Sequence, residues 1–382
     1  MPPASAPSVL QTHIKTAIQT RGGWLPFDRF MELALYAPGL GYYANDLRKF
    51  GLFPSTDAES GSDFVTAPEL TPLFGKTLAK QIAEALQHTQ TTEIWEFGAG
   101  SGALALQLLS ALEQLGQPVT RYTIVDLSGA LRQRQQETLL IFGDKVRWVS
   151  ELPDTMQGVV IGNEVLDAMP VKLLARVKGS WYERGVVVDS DGQFDWQDRP
   201  TELRPPLEIM GEHDYLTEIH PQAEAFMRTL AQKLSASQQA GNGGGAAFFI
   251  DYGFPEAEYF HPQRHMGTVM CHQGHKADGD PLAQVGRKDI TAHVNFTGVA
   301  VAAQDENLAT LGYASQGRFL LNCGLHLALG NDDLSADFPN RANAMKLINE
   351  HEMGELFKVI GFCTGEPWDA IGFSAGDRTH TL

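Results

Sequence analysis

The sequence predicts an α/β fold: a mostly parallel sheet with helices on both faces. Three observations predict it. From Thr71 onward, short apolar strand-like runs alternate with amphipathic helical patterns. A glycine turn, "EFGAGSGA", joins the first of those strands to a helix. Apolar residues make up 43% and charged residues 20% of the 382 residues, the balance of a globular chain with a sizeable core.

The elements follow in order. Residues 1–70 read as an N-terminal cap of helix and loop, dense in aromatic residues, Gly and Pro around one short helix, Phe27 to Tyr36. The stretch "KFGLFPSTDAESGSDFVTAPEL" reads as a long loop, a length often given to functional lids. The main domain is expected over 71–382. Thr71 followed by Pro72 suits a helix start, and Phe74, Leu78, Ile82 and Leu86 recur at helical spacing. Strand "EIWEF", a helix over 103–115, strand "RYTIVD", a helix opening at Ser128, strand "VRWV" and strand "GVVIG" come next.

Between about 171 and 215 an alternating pattern with a "DSDG" turn reads as an inserted β-hairpin, and a second insertion spans about 255–293. A helix near 221–234 and strand "AAFFID" at 246–251 lie between them. The C-terminal third reads as helices near 297–311, 316–329 and 342–360, with a last strand near 368–374.

A net charge of −17 argues against a protein that holds nucleic acid by neutralising phosphates, and it would suit a cationic partner. Three cysteines without paired spacing exclude a disulfide scaffold or a four-cysteine zinc site and fit a reducing compartment. The start "MPPASAPSVLQTHIK" reads as neither signal nor transit peptide, and no apolar run approaches the roughly 20 residues of a membrane span. A cytoplasmic location with no membrane insertion is the expectation.

The turn holds Gly98, Gly100 and Gly102. With Ala103 it also satisfies the dinucleotide fingerprint, so the glycines alone leave two cofactor classes open. Three features favour S-adenosyl-L-methionine. Glu96 stands directly before the turn, where a carboxylate repels a pyrophosphate but pairs with the amino group of an aminoacyl cofactor. The spacing Glu-x-Gly-x-Gly-x-Gly is that of adenosylmethionine sites. Asp126 ends the next strand, 24 residues beyond Gly102, where an acid accepts hydrogen bonds from ribose hydroxyls. A P-loop is excluded, because no Gly-Lys-Ser/Thr follows.

The strand "GVVIG" runs into "NEVLDAMPV", so Asn163, Glu164 and Asp167 emerge at the carboxyl end of the sheet, where ligands bind. Oriented carboxylates there can hold an amine or guanidinium against a methyl donor. The alternative is that Asn163 and Glu164 only cap the segment that follows. In "HPQRHMGTVMCHQGH" the intervals match no common metal motif; a loop over the sheet is favoured, with His275 as a substrate contact. "DITAHVNF" alternates Asp289, Thr291, His293 and Asn295 as a strand would, and His293 is a second candidate substrate contact or base. Thr66 and Glu69 in "SDFVTAPE" are candidate cofactor contacts. No metal site is expected, and the absence of a Gly-x-Ser-x-Gly elbow leaves nucleophilic hydrolysis without support.

These segments together resemble the MidA-like family of class I methyltransferases, which includes the mitochondrial complex I assembly methyltransferase. The resemblance rests on "LPFDRFMELALYAPGLGYY", "DFVTAPELTPLFG", "WEFGAGSGALA", "VDLSGALRQRQ", "VVIGNEVLDAMPV", "DYGFPEAEYFHPQRHMGTV", "GRKDITAHVNFT" and "MGELFKVIGF", which span nearly the whole chain. It implies a Rossmann-like, seven-stranded adenosylmethionine-binding sheet with an inserted subdomain. It also implies methylation of a protein arginine, with a respiratory complex I subunit as one candidate substrate. Asp126 stands where the family more often carries Glu, and either acid can take the role. A non-catalytic assembly factor that retains the pocket and a small-molecule methyltransferase are the alternatives, and the oligomeric state is open.

Overall fold

The computed structural model describes residues 8–45, 66–126, 129–274, 276–329 and 338–382. The chain starts with α1 (Val9–Thr20), β1 (Leu25–Pro26) and α2 (Phe27–Tyr36). A capping box closes α1: Ser8 Oγ accepts from the Gln11 N–H, and Gln11 Oε1 from the Ser8 N–H. After α3 (Ala67–Leu70) comes α4 (Leu73–Thr89), where Thr71 Oγ1 accepts from the Leu73 N–H at 3.3 Å, as the Thr-Pro start predicts.

The alternating region follows as β2 (Glu93–Phe97), α5 (Ala103–Gln114), β3 (Arg121–Val125), α6 (Gly129–Thr138), β4 (Val146–Val149) and β5 (Gly158–Asn163). Next stand β6 (Lys172–Val177), β7 (Ser180–Val188), β8 (Phe194–Pro200), β9 (Tyr215–Ile219), α7 (Pro221–Gln239), β10 (Gly245–Phe254) and α8 (Glu256–Tyr259). Then come β11 (Met270–Gln273), β12 (Lys276–Asp278), β13 (Asp289–Thr291), β14 (Val294–Asn295), α9 (Phe296–Gln304) and β15 (Leu308–Ser315). The chain ends with α10 (Gln316–Asn322), α11 (Leu325–Leu329), α12 (Phe338–Ile348), α13 (Met353–Leu356) and β16 (Phe357–Thr364).

The central sheet has the order β15-β16-β10-β5-β2-β3-β4, with the short β14 added beside β10. From β4 to β10 every neighbouring pair is parallel; β16 runs antiparallel to both β10 and β15. The expected seven-stranded, mostly parallel sheet is therefore present. Period-two alternation divides its side chains between two cores. Ile94, Tyr122, Val159 and Ile161 pack with Phe74, Leu78 and Leu108 of α4 and α5 on one face. Trp95, Phe97 and Val160 pack with Met227, Leu230 and Val299 of α7 and α9 on the other. Helices thus cover both faces, and the carboxyl ends of five parallel strands open to one side.

Three elements in the C-terminal third differ from the sequence reading. Residues 308–315 form β15 where a helix over 297–311 was expected to continue, and 357–364 form β16 rather than the end of a helix. The terminal stretch near 368–374 holds a 3₁₀ turn, Ile371–Phe373, and not a strand. The reason lies in β16. Seven of its eight residues are buried, because it is flanked by strands and covered on both faces, so it shows no alternation that separates it from a buried helix.

The hairpin expected near 171–215 is present as β6 and β7, and it extends further. Strands β1-β7-β6-β9, with β8 beside β7, form a separate antiparallel sheet, and β12-β11-β13 forms a third. These share one apolar core with the N-terminal helices: Ile14, Phe27, Phe30 and Leu35 pack with Leu173, Val186, Cys271 and Ile290. N-terminal and inserted segments therefore build one body over the strand ends. Among the described residues, no helix is long and apolar enough to cross a membrane.

Candidate active site

A cavity of about 1110 Å³ lies where that body meets the carboxyl ends of β2, β3, β5 and β10. Its floor is the glycine turn. Gly98, Gly100 and Gly102 have φ of 64°, 53° and 86°, values that glycine adopts without strain. A Cβ on Gly98 would stand 2.9 Å from Val165 Cγ2, so the turn and the loop after β5 are packed as closely as glycine allows. Gly98 and Gly100 line the cavity; Gly102 lies behind it, capping the start of α5.

Glu96 is 2% exposed and lines the cavity from the end of β2. Tyr122 Oη donates to its Oε2 at 2.7 Å. Burial pushes this carboxyl up to about 7, against the Tyr122 hydrogen bond. Asp126 lines the cavity beyond β3 and accepts from Gln135 Nε2 at 2.8 Å. The same nitrogen donates to the Gly100 carbonyl at 3.0 Å, and Gln135 Oε1 accepts from Trp148 Nε1 at 2.9 Å. Thr66 and Glu69 also face the cavity, and Ser101 Oγ donates to Glu69. All seven residues expected around the cofactor thus gather at or directly behind one wall.

The loop after β5 forms the next wall. Glu164 has a φ of 54°, a left-handed conformation rare outside glycine and often found at functional positions. Its N–H donates to the Ile250 carbonyl at 2.9 Å, and Asn163 Nδ2 donates to its Oε1 at 3.0 Å. Burial, then the nearby Asp167 carboxylate, pushes Glu164 up to about 8; Asn163 and the Ala67 N–H draw it down. Asp167 is pushed up by burial to about 6, against the nearby Tyr252 hydroxyl.

Asp251, at the end of β10, had no assigned role in the sequence. It is 1% exposed, and its Oδ2 accepts from the N–H groups of Val165, Leu166 and Asp167 at 3.1, 2.9 and 3.3 Å. Burial, then the Asp167 and Glu164 carboxylates, push it up, while the N–H groups of Asp167 and Tyr252 oppose the shift. An acid at the C-terminal end of a parallel strand was the available signal. Tyr252, Tyr36 and Tyr43 were likewise missed as cavity residues.

His293 lines the cavity beside Tyr252, ring centroids 5.2 Å apart and nearly perpendicular. Burial, then the Arg264 and Lys358 charges, holds it down at about 4, so its imidazole is neutral at ordinary pH. His275 lies outside the described residues; its neighbour His272 lines the cavity. Among the described lining residues Glu69, Glu96, Asp126, Glu164, Asp167 and Asp289 are acidic, and none is Lys or Arg. Such a cavity favours a cationic ligand. The glycine cradle, the acid before it and the acid beyond β3 fit an aminoacyl adenosine cofactor with a sulfonium charge.

A family model described as "Putative S-adenosyl-L-methionine-dependent methyltransferase" matches residues 77–314, well over half of the chain. The chain belongs to this family. A crystal structure from Burkholderia thailandensis, described as a "likely methyl transferase" bound to S-adenosyl-homocysteine, is 46% identical, with a TM-score of 0.91 over 99% of this chain and 100% of that one. Similarity also extends to mitochondrial protein arginine methyltransferase NDUFAF7 of Danio rerio, 27% identical over 87% of this chain and 81% of that protein. The Homo sapiens protein of the same name is 27% identical over 91% and 82%. This methyltransferase therefore takes S-adenosyl-L-methionine as its cofactor.

Proposed function

We propose that this methyltransferase acts on a protein, at a guanidinium nitrogen of arginine. The observation that carries the reading is the buried carboxyl group of Glu164 beside Asp167, in a cavity with no Lys or Arg among its described lining residues. The names of the NDUFAF7 relatives support arginine as the acceptor. A subunit of respiratory complex I is the candidate substrate that the family resemblance suggests.

Bound adenosylmethionine supplies an electrophilic methyl group on a sulfonium centre. Gly98 and Gly100 let the cofactor approach the main chain, Glu96 pairs with its amino group and Asp126 accepts from its ribose hydroxyls. Glu164 and Asp167 hold the planar guanidinium, whose fork of N–H donors matches carboxylate oxygens. Drawing positive charge toward those oxygens leaves another nitrogen richer in electron density. The bound guanidinium favours the ionised form of Glu164, whose carboxyl otherwise sits near 8, and the resulting carboxylate takes up the proton that the methylated nitrogen releases. Asp251 fixes the 165–167 backbone that aims both carboxyls. His293, neutral and cavity-facing, contacts the acceptor.

The test uses purified protein, radiolabelled adenosylmethionine and an extract from cells lacking the gene. Acid hydrolysis should place the label in methylated arginine, and Glu164→Gln should abolish it while retaining cofactor binding. Label in lysine or in small molecules would overturn the reading.

A further inference from the structure

Next to the loop after β5, the cavity has a second polar wall that comes entirely from the inserted and N-terminal segments. Strand β13 presents Asp289 and Thr291, two residues apart, toward the cavity. Asp289 Oδ2 accepts from Tyr43 Oη at 2.8 Å, and its Oδ1 from the Ile290 N–H at 2.9 Å. Its neighbour Lys288 is paired with Asp278 instead, Nζ to Oδ2 at 2.7 Å. Thr291 is 3% exposed and Asp167 is 5% exposed; neither Oγ1 of the one nor Oδ1 of the other has a partner at hydrogen-bond length, although the Tyr252 hydroxyl lies near both side chains. The two walls are tied at fixed spacing. The Ala292 N–H donates to the Asp167 carbonyl at 2.9 Å, and Tyr36 Oη donates to the Ala168 carbonyl at 2.9 Å.

Buried polar atoms in a cavity lined by carboxyls from two segments call for a ligand with several donors. A guanidinium is planar and carries five N–H donors in a rigid fork; an ammonium is a compact charge with three donors and no planar fork to match paired carboxylate oxygens. We infer that Asp289 and Thr291 form a second wall of the acceptor site and hold the guanidinium together with Glu164 and Asp167. Tyr43 orients the Asp289 carboxylate, and the pair selects arginine over lysine. The inference rests on the arginine reading and assigns the selectivity to the inserted strand rather than to the loop after β5.

The experiment is kinetic, with full-length protein, radiolabelled adenosylmethionine and extract from cells lacking the gene. Asp289→Asn keeps the shape and removes the charge. It should raise the half-saturating extract concentration about tenfold or more, with the maximal rate changed less and calorimetric S-adenosyl-homocysteine binding unchanged. Tyr43→Phe should give a smaller shift in the same direction. Hydrolysis of the product should show the ratio of methyl-arginine to methyl-lysine falling in Asp289→Asn. Wild-type saturation by Asp289→Asn, with methyl-arginine still the product, would overturn this inference and leave the arginine reading standing. Absence of methyl-arginine from the wild-type reaction would overturn both. Loss of S-adenosyl-homocysteine binding in Asp289→Asn would also overturn it, by placing Asp289 in cofactor binding or structural support.

Discussion

Gln135 donates one side-chain nitrogen to both the Asp126 carboxylate, at 2.8 Å, and the Gly100 carbonyl, at 3.0 Å. The acid beyond β3 and the turn after β2 are thereby held by a single, fully buried amide on α6. Replacing Gln135 with Leu removes the donor and leaves two acceptors and the Trp148 N–H to find other partners. Calorimetry should show adenosylmethionine affinity falling about tenfold, since a hydrogen bond to a charged group contributes about 1.5–3 kcal/mol. Unchanged affinity would mean that the amide does not position Asp126.

Asp251→Ala strips three backbone N–H groups of their acceptor in the segment that carries Glu164 and Asp167. Each unsatisfied buried group costs about 1–3 kcal/mol, so urea unfolding should show a loss of at least about 3 kcal/mol. Asp251→Asn keeps an acceptor oxygen and should fold, with turnover reduced more than cofactor affinity. A turnover equal to wild type in Asp251→Asn would show that the charge on Asp251 is dispensable.

Three cavity carboxyls sit above their ordinary range: Glu164 at about 8, Glu96 at about 7 and Asp167 at about 6. Between the ordinary carboxylate value and these values the folded chain binds protons that the unfolded chain has released. Below about 6.5 the buried His220 and His293, held down at about 4, contribute the opposite slope, so stability of the ligand-free protein should fall as pH rises from about 6.5 toward 8, the reverse of a salt-bridged carboxylate. Glu164→Gln removes the largest contribution, and its melting temperature should depend on pH less steeply than that of wild type. Equal slopes across this range would refute the assignment.

The same carboxyls make cofactor binding sensitive to charge. Adenosylmethionine carries a sulfonium that S-adenosyl-homocysteine lacks, and a cation nearby favours ionised carboxyls. Its affinity should strengthen between pH 6 and about 8, with proton release detected by calorimetry in buffers of different ionisation enthalpy. Affinity for S-adenosyl-homocysteine should change less over the same interval.

Gly98→Ala tests the contact between the turn and the loop after β5. The added methyl meets Val165 Cγ2 and also sits at a φ of 64°. Cofactor affinity and stability should both fall, with a cost of about 1–3 kcal/mol for the overpacking. Adding Val165→Ala should recover only part of the stability, because the backbone strain stays. Full recovery would assign the whole effect to the clash.

Legibility from sequence followed the range of the interactions involved. Helix α2 matched its expected bounds, Phe27 to Tyr36, and the strands around the glycine turn were readable because periodicity and turn residues are local signals. Strands β15 and β16 were not: β16 is buried almost throughout, and β15 has its partly buried residues in one consecutive run, so neither shows the alternation that identifies a strand. Glu96, Gly98, Gly100 and Asp126 were legible through fixed spacing around one strand–turn–helix unit. Gln135 and Asp251 were not, because each acts on a segment that only the folded sheet brings near: Asp251 stands 84 residues from Asp167. Tyr43 and Asp289, 246 residues apart, are harder still. Both lie in segments that stand out in the sequence, but only the shared core of the N-terminal and inserted segments pairs them.

That shared core also sets an order of assembly. The cofactor wall draws on residues 66–163 together with the neighbouring strands of the sheet, whereas the second wall pairs Tyr43 with Asp289. During synthesis the N-terminal helices leave the ribosome early, with their apolar faces exposed until β6, β7, β11 and β13 have followed. Tyr43 and Asp289, 246 residues apart, must then meet, at a closure cost that grows only slowly with length. A nascent chain thus has most of the segments that grip the methyl donor before it owns the surface that recognises what to methylate, and methyl transfer reports that the last of these long-range joins has closed.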